Sequence, residues 1–421
     1  MSLVEKEITL HNIERAQKHA EFESRREVEQ KLLPVNSEVF EQLFKAESVA
    51  IEQLYLSTPE DEFSLRLRRT DSPDGVIYKA TQKDRGEVKN NALDRVEIDT
   101  TISKETYEYY QAQGLPSVHK QRYELMDGVS VDFYEGGQYP VIVEVEHKDS
   151  EVRAELIAVV ETLTASPLND RSSDPALTNE AIAHRKVERR VTSPESLDTF
   201  ATHVAREMVA RYVSGSQQVV AGLTGMSGSG KTTVTNAIQS QLTETFGESF
   251  RPIVLSTDDY HFGKTALEQQ YGAPYSDWDS PRTYNTVELA RDLALLRHGT
   301  PLIKRHFDFE TEEPSYDELV SPSPFVIIEG LYAGCKDLSG VRDLHFELPT
   351  SIATSIGRDV RRLVIDNRAN RAFPSPESRL RYQIETALPL YLSQKHPGRN
   401  THSASARSVV DRAFMLAKLT D

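Results

Sequence analysis

The chain has 421 residues, room for two or three domains, and a formal net charge of −16 from 65 acidic against 49 basic residues. That balance argues against nucleic acid as a partner, because a phosphate backbone needs a basic surface. The single cysteine, Cys335, excludes a disulfide framework and a cysteine-rich zinc site, and no apolar run approaches the ~20 residues that cross a bilayer. The opening Met1-Ser-Leu-Val-Glu-Lys-Glu has no apolar signal core, so a cytoplasmic protein without a membrane partner is expected.

Residues 1–165 read as short strands in which charged residues alternate with apolar or neutral ones. Side chains two apart on a strand share a face. Glu5 and Glu7 therefore share one, as do Arg66 and Arg68 opposite Leu65 and Leu67. The same holds for Lys79, Thr81 and Lys83, for Arg95, Glu97 and Asp99, for Lys120 and Arg122, and for Glu144 and Glu146. One such strand would be the wet face of an open sheet. Six of them suggest a closed barrel with a charged interior, its basic pairs gripping phosphate and its acidic pairs holding a divalent metal.

These motifs, in this order, resemble the CYTH family of triphosphate tunnel metalloenzymes over about residues 3–186, with Asp174-Pro-Ala-Leu-Thr-Asn179 similar to the family's closing segment. The resemblance implies that Glu5, Glu7, Asp132, Glu144 and Glu146 serve Mg²⁺ or Mn²⁺, with Glu97 completing the tunnel wall. It implies that Arg66, Arg68, Lys83, Arg95, Lys120 and Arg122 bind a triphosphate or polyphosphate chain. The family's first motif is Glu-x-Glu-x-Lys, and Thr9 stands at the last position of the stretch taken here.

Residues 166–195 are polar and read as a terminal segment and linker. A helix is expected from near Thr192-Ser-Pro-Glu195, with Leu197, Phe200, Ala201, Val204 and Met208 on one face. From Val219 onward apolar strands alternate with helical stretches, the pattern of a parallel sheet covered on both sides.

Gly225-Met-Ser227-Gly228-Ser229-Gly230-Lys231-Thr232 fits G-x-x-x-x-G-K-[ST] between a strand candidate, Val219 to Leu223, and a helical run from Thr232 to Phe246. Such a loop cradles phosphate on backbone N–H groups, here including Thr233, while Lys231 reaches the β- and γ-phosphates and Thr232 binds Mg²⁺. Asp258 follows the strand Ile253 to Ser256, and Glu329 ends the strand Phe325 to Gly330. Carboxylates at that edge of a parallel sheet can take a proton or serve a metal. Arg358, Arg361, Arg362, Arg368 and Arg371 lie on or after a helix and could stabilise charge during transfer. No Asn-Lys-x-Asp stretch supports a GTPase, and Leu338-Ser-Gly340 alone is too little for an ABC ATPase.

Residues 215–400 resemble the uridine kinase and phosphoribulokinase branch of P-loop kinases. The likeness rests on the phosphate loop, Ser256-Thr-Asp258-Asp-Tyr260, Asp277-Trp-Asp279-Ser-Pro281, Ile327-Ile-Glu329-Gly330 and the arginines. It implies ATP as cofactor, Asp258 as base towards an acceptor hydroxyl, Asp277 and Asp279 as acceptor ligands, and Arg358 and Arg362 in a closing lid. Phe307 to Glu312 lacks the family's base-reading histidine, so uridine is expected to be a poor acceptor.

The expectation is a two-domain enzyme. Residues 1–186 form an antiparallel β-barrel tunnel (α+β), 187–215 a linker and helix, and 216–421 an α/β P-loop kinase with a parallel sheet. Its partners would be a small phosphate acceptor and a triphosphate or polyphosphate. Two alternatives stand beside it: a tri- or pyrophosphatase whose P-loop domain only binds or hydrolyses nucleotide, and a regulatory sensor of phosphorylated ligands.

Overall fold

The computed structural model describes residues 23–43, 48–135, 141–184, 196–275, 277–365 and 373–393. They gather into two compact units, divided at 191/192, with residues 351–386 belonging to the first unit. The strands of the first unit are β1 (Arg26–Pro34), β2 (Val49–Tyr55), β3 (Phe63–Ser72), β4 (Gly75–Asp84), β5 (Glu87–Lys89), β6 (Ala92–Thr101), β7 (Ser117–Met126), β8 (Val129–Tyr134), β9 (Val141–Glu146) and β10 (Leu168–Asp170). Their order runs β1-β9-β8-β7-β2-β3-β4-β6, and β6 pairs back onto β1, so eight antiparallel strands close a barrel with no free edge among them. The short β10 and β5 flank it.

The alternation decides which side of each strand is wet. On β9, Val141, Val143 and Val145 pack with Val129, Val131 of β8 and Val160 of α1 (Ser150–Thr164). Glu144 and Glu146 take the opposite face. On β3, Leu65 and Leu67 are fully buried on one side while Arg66 and Arg68 line the interior. A register slip of one residue would put the arginines outside and the leucines in the pocket, so burial pins the pairing. The expected closing segment is a capped turn: Asp174 accepts from the Ala176 N–H at 3.0 Å, and α2 (Asn179–His184) follows.

The second unit starts with α3 (Leu197–Val213), capped by Ser196, whose hydroxyl accepts from the Thr199 N–H at 3.1 Å. Thr192 to Glu195, where the helix start was expected, lie outside the described residues. Four parallel strands form the sheet in the order β12-β15-β11-β16: β11 (Val219–Thr224), β12 (Ile253–Ser256), β15 (Phe325–Gly330) and β16 (Leu344–Glu347). One face packs on α3 and α4 (Lys231–Phe246) through Val204, Met208, Val234 and Ile238. The other packs on α5 (Thr286–Arg297) through Leu289, Leu293 and Leu296. A separate hairpin joins β13 (Leu302–Asp308) to β14 (Glu313–Val320). No described helix is long and apolar enough to cross a membrane.

Residues 351–386, expected in the C-terminal domain, group with the barrel. They carry α6 (Ile352–Ile365) and α7 (Pro376–Tyr382). The physical reason is apolar cover: α6 packs on β3 and β4, α7 packs on β4 and β6, and Ile356, Val360 and Leu380 are fully buried.

Candidate functional site

The barrel encloses a cavity of about 170 Å³ walled by Glu27, Glu29, Lys31, Arg66, Arg68, Lys83, Arg95, Lys120, Arg122, Glu144 and Glu146 among others. The predicted basic residues are thus brought together. Most of these charges are already paired. Lys83 Nζ sits 2.6 Å from both Glu27 and Glu97. Arg95 donates to Glu27 at 2.7 Å and to Glu29 at 2.8 Å. Lys31 lies 3.2 Å from Glu144, and Arg122 also bonds Glu144. Burial opposes ionisation of Glu144, yet Arg122, Lys120 and Lys31 hold its carboxyl well below the usual range.

Two groups break the pattern. Burial, then the neighbouring Arg66 and Arg122, pulls the Arg68 guanidinium down to about 10, and its Nε is buried without a hydrogen-bond partner. Burial, then Glu27 and Glu29, pushes the Glu146 carboxyl up to about 7. Within a pocket of mostly paired charges, Arg68 thus keeps an unsatisfied donor and Glu146 faces other carboxylates.

Three expectations need correction or restatement. Glu5, Glu7 and Thr9 lie outside the described residues. The acidic pair that lines the pocket is Glu27 and Glu29 on β1, with Lys31 two residues on. Glu27-Val-Glu29-Gln-Lys31 is a full Glu-x-Glu-x-Lys, lysine included, and that lysine was the signal overlooked in favour of an earlier partial match. Asp132, expected to serve a metal, is fully buried, with its oxygens taken by Arg122 at 2.7 Å each and by Lys120. In this structure it braces the two cations Lys120 and Arg122.

Among the described residues no three carboxylate, thiol or imidazole groups converge on a metal position. The donor chemistry of Glu27, Glu29 and Glu146, hard oxygens under mutual repulsion, nonetheless suits Mg²⁺ or Mn²⁺.

In the second unit the phosphate loop runs from β11 into the first turn of α4. Gly228 and Gly230 hold φ of +79° and +94°, which L residues rarely adopt. At Gly225 a Cβ would lie 2.5 Å from Ser229 Oγ, so only glycine lets the loop close this tightly on itself. Lys231 Nζ folds back onto the carbonyls of Gly225 at 3.0 Å and Met226 at 3.1 Å. Thr232 and Thr233 are exposed at the helix N-terminus, whose N–H groups have no side-chain cap. The loop fits a phosphate chain.

Asp258 and Glu329 stand at the same edge, since Ser256 of β12 pairs with Glu329 of β15. Burial raises both carboxyls, and Lys231 opposes it in each case. Asp277 is paired with Arg282 at 2.8 Å, and Tyr332 bonds the backbone of Asp279. Sequence reading passed over His261. It is only 5% exposed and is caged by Tyr284, Phe307 and Trp278 at 4.2, 5.1 and 5.8 Å between ring centroids. The only signal for it was its place two residues after Asp259.

The arginines expected in a lid are placed differently. Arg358 is bonded to Glu62 at 2.7 Å within the barrel unit, because α6 packs there. Arg361 and Arg362 are exposed on the same helix, and Arg368 and Arg371 lie outside the described residues.

Residues 220–362 match the model of the Phosphoribulokinase / Uridine kinase family. The second unit is uridine kinase-like. A uridine kinase of Staphylococcus epidermidis is 30% identical over 119 residues, 28% of this chain and 55% of that protein. The inorganic pyrophosphatase TTM2 of Arabidopsis thaliana is 28% identical over 185 residues, 44% of this chain and 25% of that protein. A solved inorganic triphosphatase overlaps 37% of this chain and 93% of its own, with a TM-score of 0.25 and 24% identity. The chain spans about half the length of the bacterial uridine kinases it matches and a smaller share of the plant proteins. With its closed barrel and inward rows of charge, the first unit is CYTH-like, fused in one chain to the uridine kinase-like unit.

Proposed function

We propose that the uridine kinase-like unit transfers the terminal phosphoryl group of ATP to a hydroxyl of a small acceptor. We propose in addition that the barrel binds a triphosphate or polyphosphate and, with a divalent cation, hydrolyses it. The observation that carries the first half is the meeting of Lys231, Asp258 and Glu329 at the phosphate-loop edge of the sheet.

In this reading Gly225 to Thr233 hold the phosphates. Lys231 leaves its own loop carbonyls for the β- and γ-oxygens, which costs little because those contacts are replaced by charge-assisted ones. Asp258, made more basic by burial, takes the proton of the acceptor hydroxyl. Asp277 and Asp279 orient the acceptor. Thr232 would hold the kinase's Mg²⁺, and Glu27, Glu29 and Glu146 the barrel's Mg²⁺ or Mn²⁺. The bound cation supplies neutralisation of phosphate charge. In the barrel, Arg68 offers the anion a buried Nε–H that has no partner, with Arg66 and Arg122 beside it.

The test is a panel of hydroxyl compounds with γ-labelled ATP, read as label on the acceptor against label released as phosphate. Label on an acceptor is expected, with uridine a poor one because the stretch Phe307 to Glu312 has no histidine. Release of phosphate with no labelled acceptor across the panel would favour a nucleotide hydrolase instead.

A further inference from the structure

The barrel's outer wall is not self-sufficient. Phe63, Leu65 and Leu67 on β3, Ala80 on β4 and Ile98 on β6 are all nearly or fully buried, on the faces opposite the charged interior. Part of that cover comes from α6 and α7, which follow Glu146 by about two hundred residues. The contact is built, not incidental. Gly357 of α6 lies so close to the Phe63 ring that a Cβ would stand 2.3 Å from it. Arg358 bonds Glu62, and Thr354 Oγ1 accepts from the Glu62 N–H at 3.2 Å. Arg381, at the end of α7, donates to Thr101 at 2.6 Å and Thr100 at 3.3 Å, at the end of β6.

Those anchor points are the ends of two strands that carry pocket charges. Phe63 precedes Arg66 and Arg68 on β3, and Thr100 follows Arg95 and Glu97 on β6. We propose that α6 and α7 form a clamp that fixes β3 and β6 and so positions the basic residues of the anion pocket. The clamp gives Arg358 a role outside phosphoryl transfer, as a positioning residue for the barrel. Its ligand half rests on the reading of the barrel as a polyphosphate site, and its mechanical half does not.

The mechanical half is read without ligand, by hydrogen exchange on the full chain. Arg358→Ala/Arg381→Ala should speed exchange in Phe63–Ser72 and Ala92–Thr101 by about tenfold, the scale of two or three lost hydrogen bonds. Val141–Glu146, away from the clamp, should be unchanged. Gly357→Ala is the second variant: alanine is the better helix former, yet here its methyl must displace Phe63. Equal exchange of β3 and β6 in wild type and both variants would overturn the clamp.

The ligand half is read by calorimetry with tripolyphosphate. The double variant should bind about tenfold more weakly, Arg358→Lys/Arg381→Lys should recover most of that loss, and tripolyphosphate should slow exchange in α6 of the wild type, since coupling is reciprocal. Equal affinity in wild type and double variant, with β3 and β6 loosened, would overturn positioning. Failure of the wild type to bind tripolyphosphate would instead remove the polyphosphate reading, and the exchange result alone would then decide the clamp.

Discussion

Lys231 carries the flexible positive charge of the phosphate loop; its Nζ donates to the carbonyls of Gly225 and Met226 and acts electrostatically on Asp258 and Glu329. Lys231→Ala should therefore leave folding intact and cut phosphoryl transfer by about 10³-fold, measured as kcat/KM. Asp258→Asn should lower kcat by about 10²–10⁴-fold with little change in ATP affinity, because it removes a proton acceptor and not a phosphate contact. A matching loss of ATP affinity would make Asp258 a ligand of the bound cation. His261 gives a pH signature. Burial pulls its imidazole down to about 4, so the folded unit binds it neutral while the unfolded chain protonates it near 6.5. Stability held above pH 6.5 is then lost as pH falls towards 4, by up to about 3 kcal/mol. Chemical denaturation at pH 7 and pH 5 should show a drop of about 2 kcal/mol in the wild type and a flatter slope in His261→Phe. Equal slopes would mean that His261 is not buried neutral.

At the scale of elements, what could be read from the chain was periodicity. Val143 to Glu146 alternates strictly, and the structure puts its valines against Val160 and its glutamates on the opposite face. The strand–loop–helix around Lys231 was equally legible, because the glycines and the apolar spacing of Val234, Ile238 and Leu242 agree. The first barrel strand was not found. Three Glu-x-Glu stretches lie before residue 30, at Glu5/Glu7, Glu21/Glu23 and Glu27/Glu29, and only the last carries the following lysine. What makes it the closing strand, the pairing of Lys31 with Glu144 and of Glu29 with Glu146, is a long-range fact. The placing of α6 on the barrel was hidden for the same reason, since a helix with buried Ile356 and Val360 can cover either sheet equally well. The helix start at Ser196 was read a few residues early. Ser196→Ala should cost about 1 kcal/mol, seen as a lower denaturation midpoint, because the Thr199 N–H loses its acceptor.

At the scale of the whole molecule, the two proposed phosphate sites stand in one acidic chain, and their charges are organised differently. The kinase-like loop presents backbone N–H groups and one lysine, while the barrel presents rows of paired cations and carboxylates. A net charge of −16 repels free polyanions at long range, so both sites depend on local fields. The most direct measurement is made on the full-length Lys231→Ala variant, following label from γ-labelled ATP to an acceptor alongside phosphate release from tripolyphosphate with Mg²⁺ or Mn²⁺. Two separate sites predict that acceptor labelling disappears while metal-dependent release continues at the wild-type rate. Loss of both activities together, or release unaffected by removing the metal, would contradict the account.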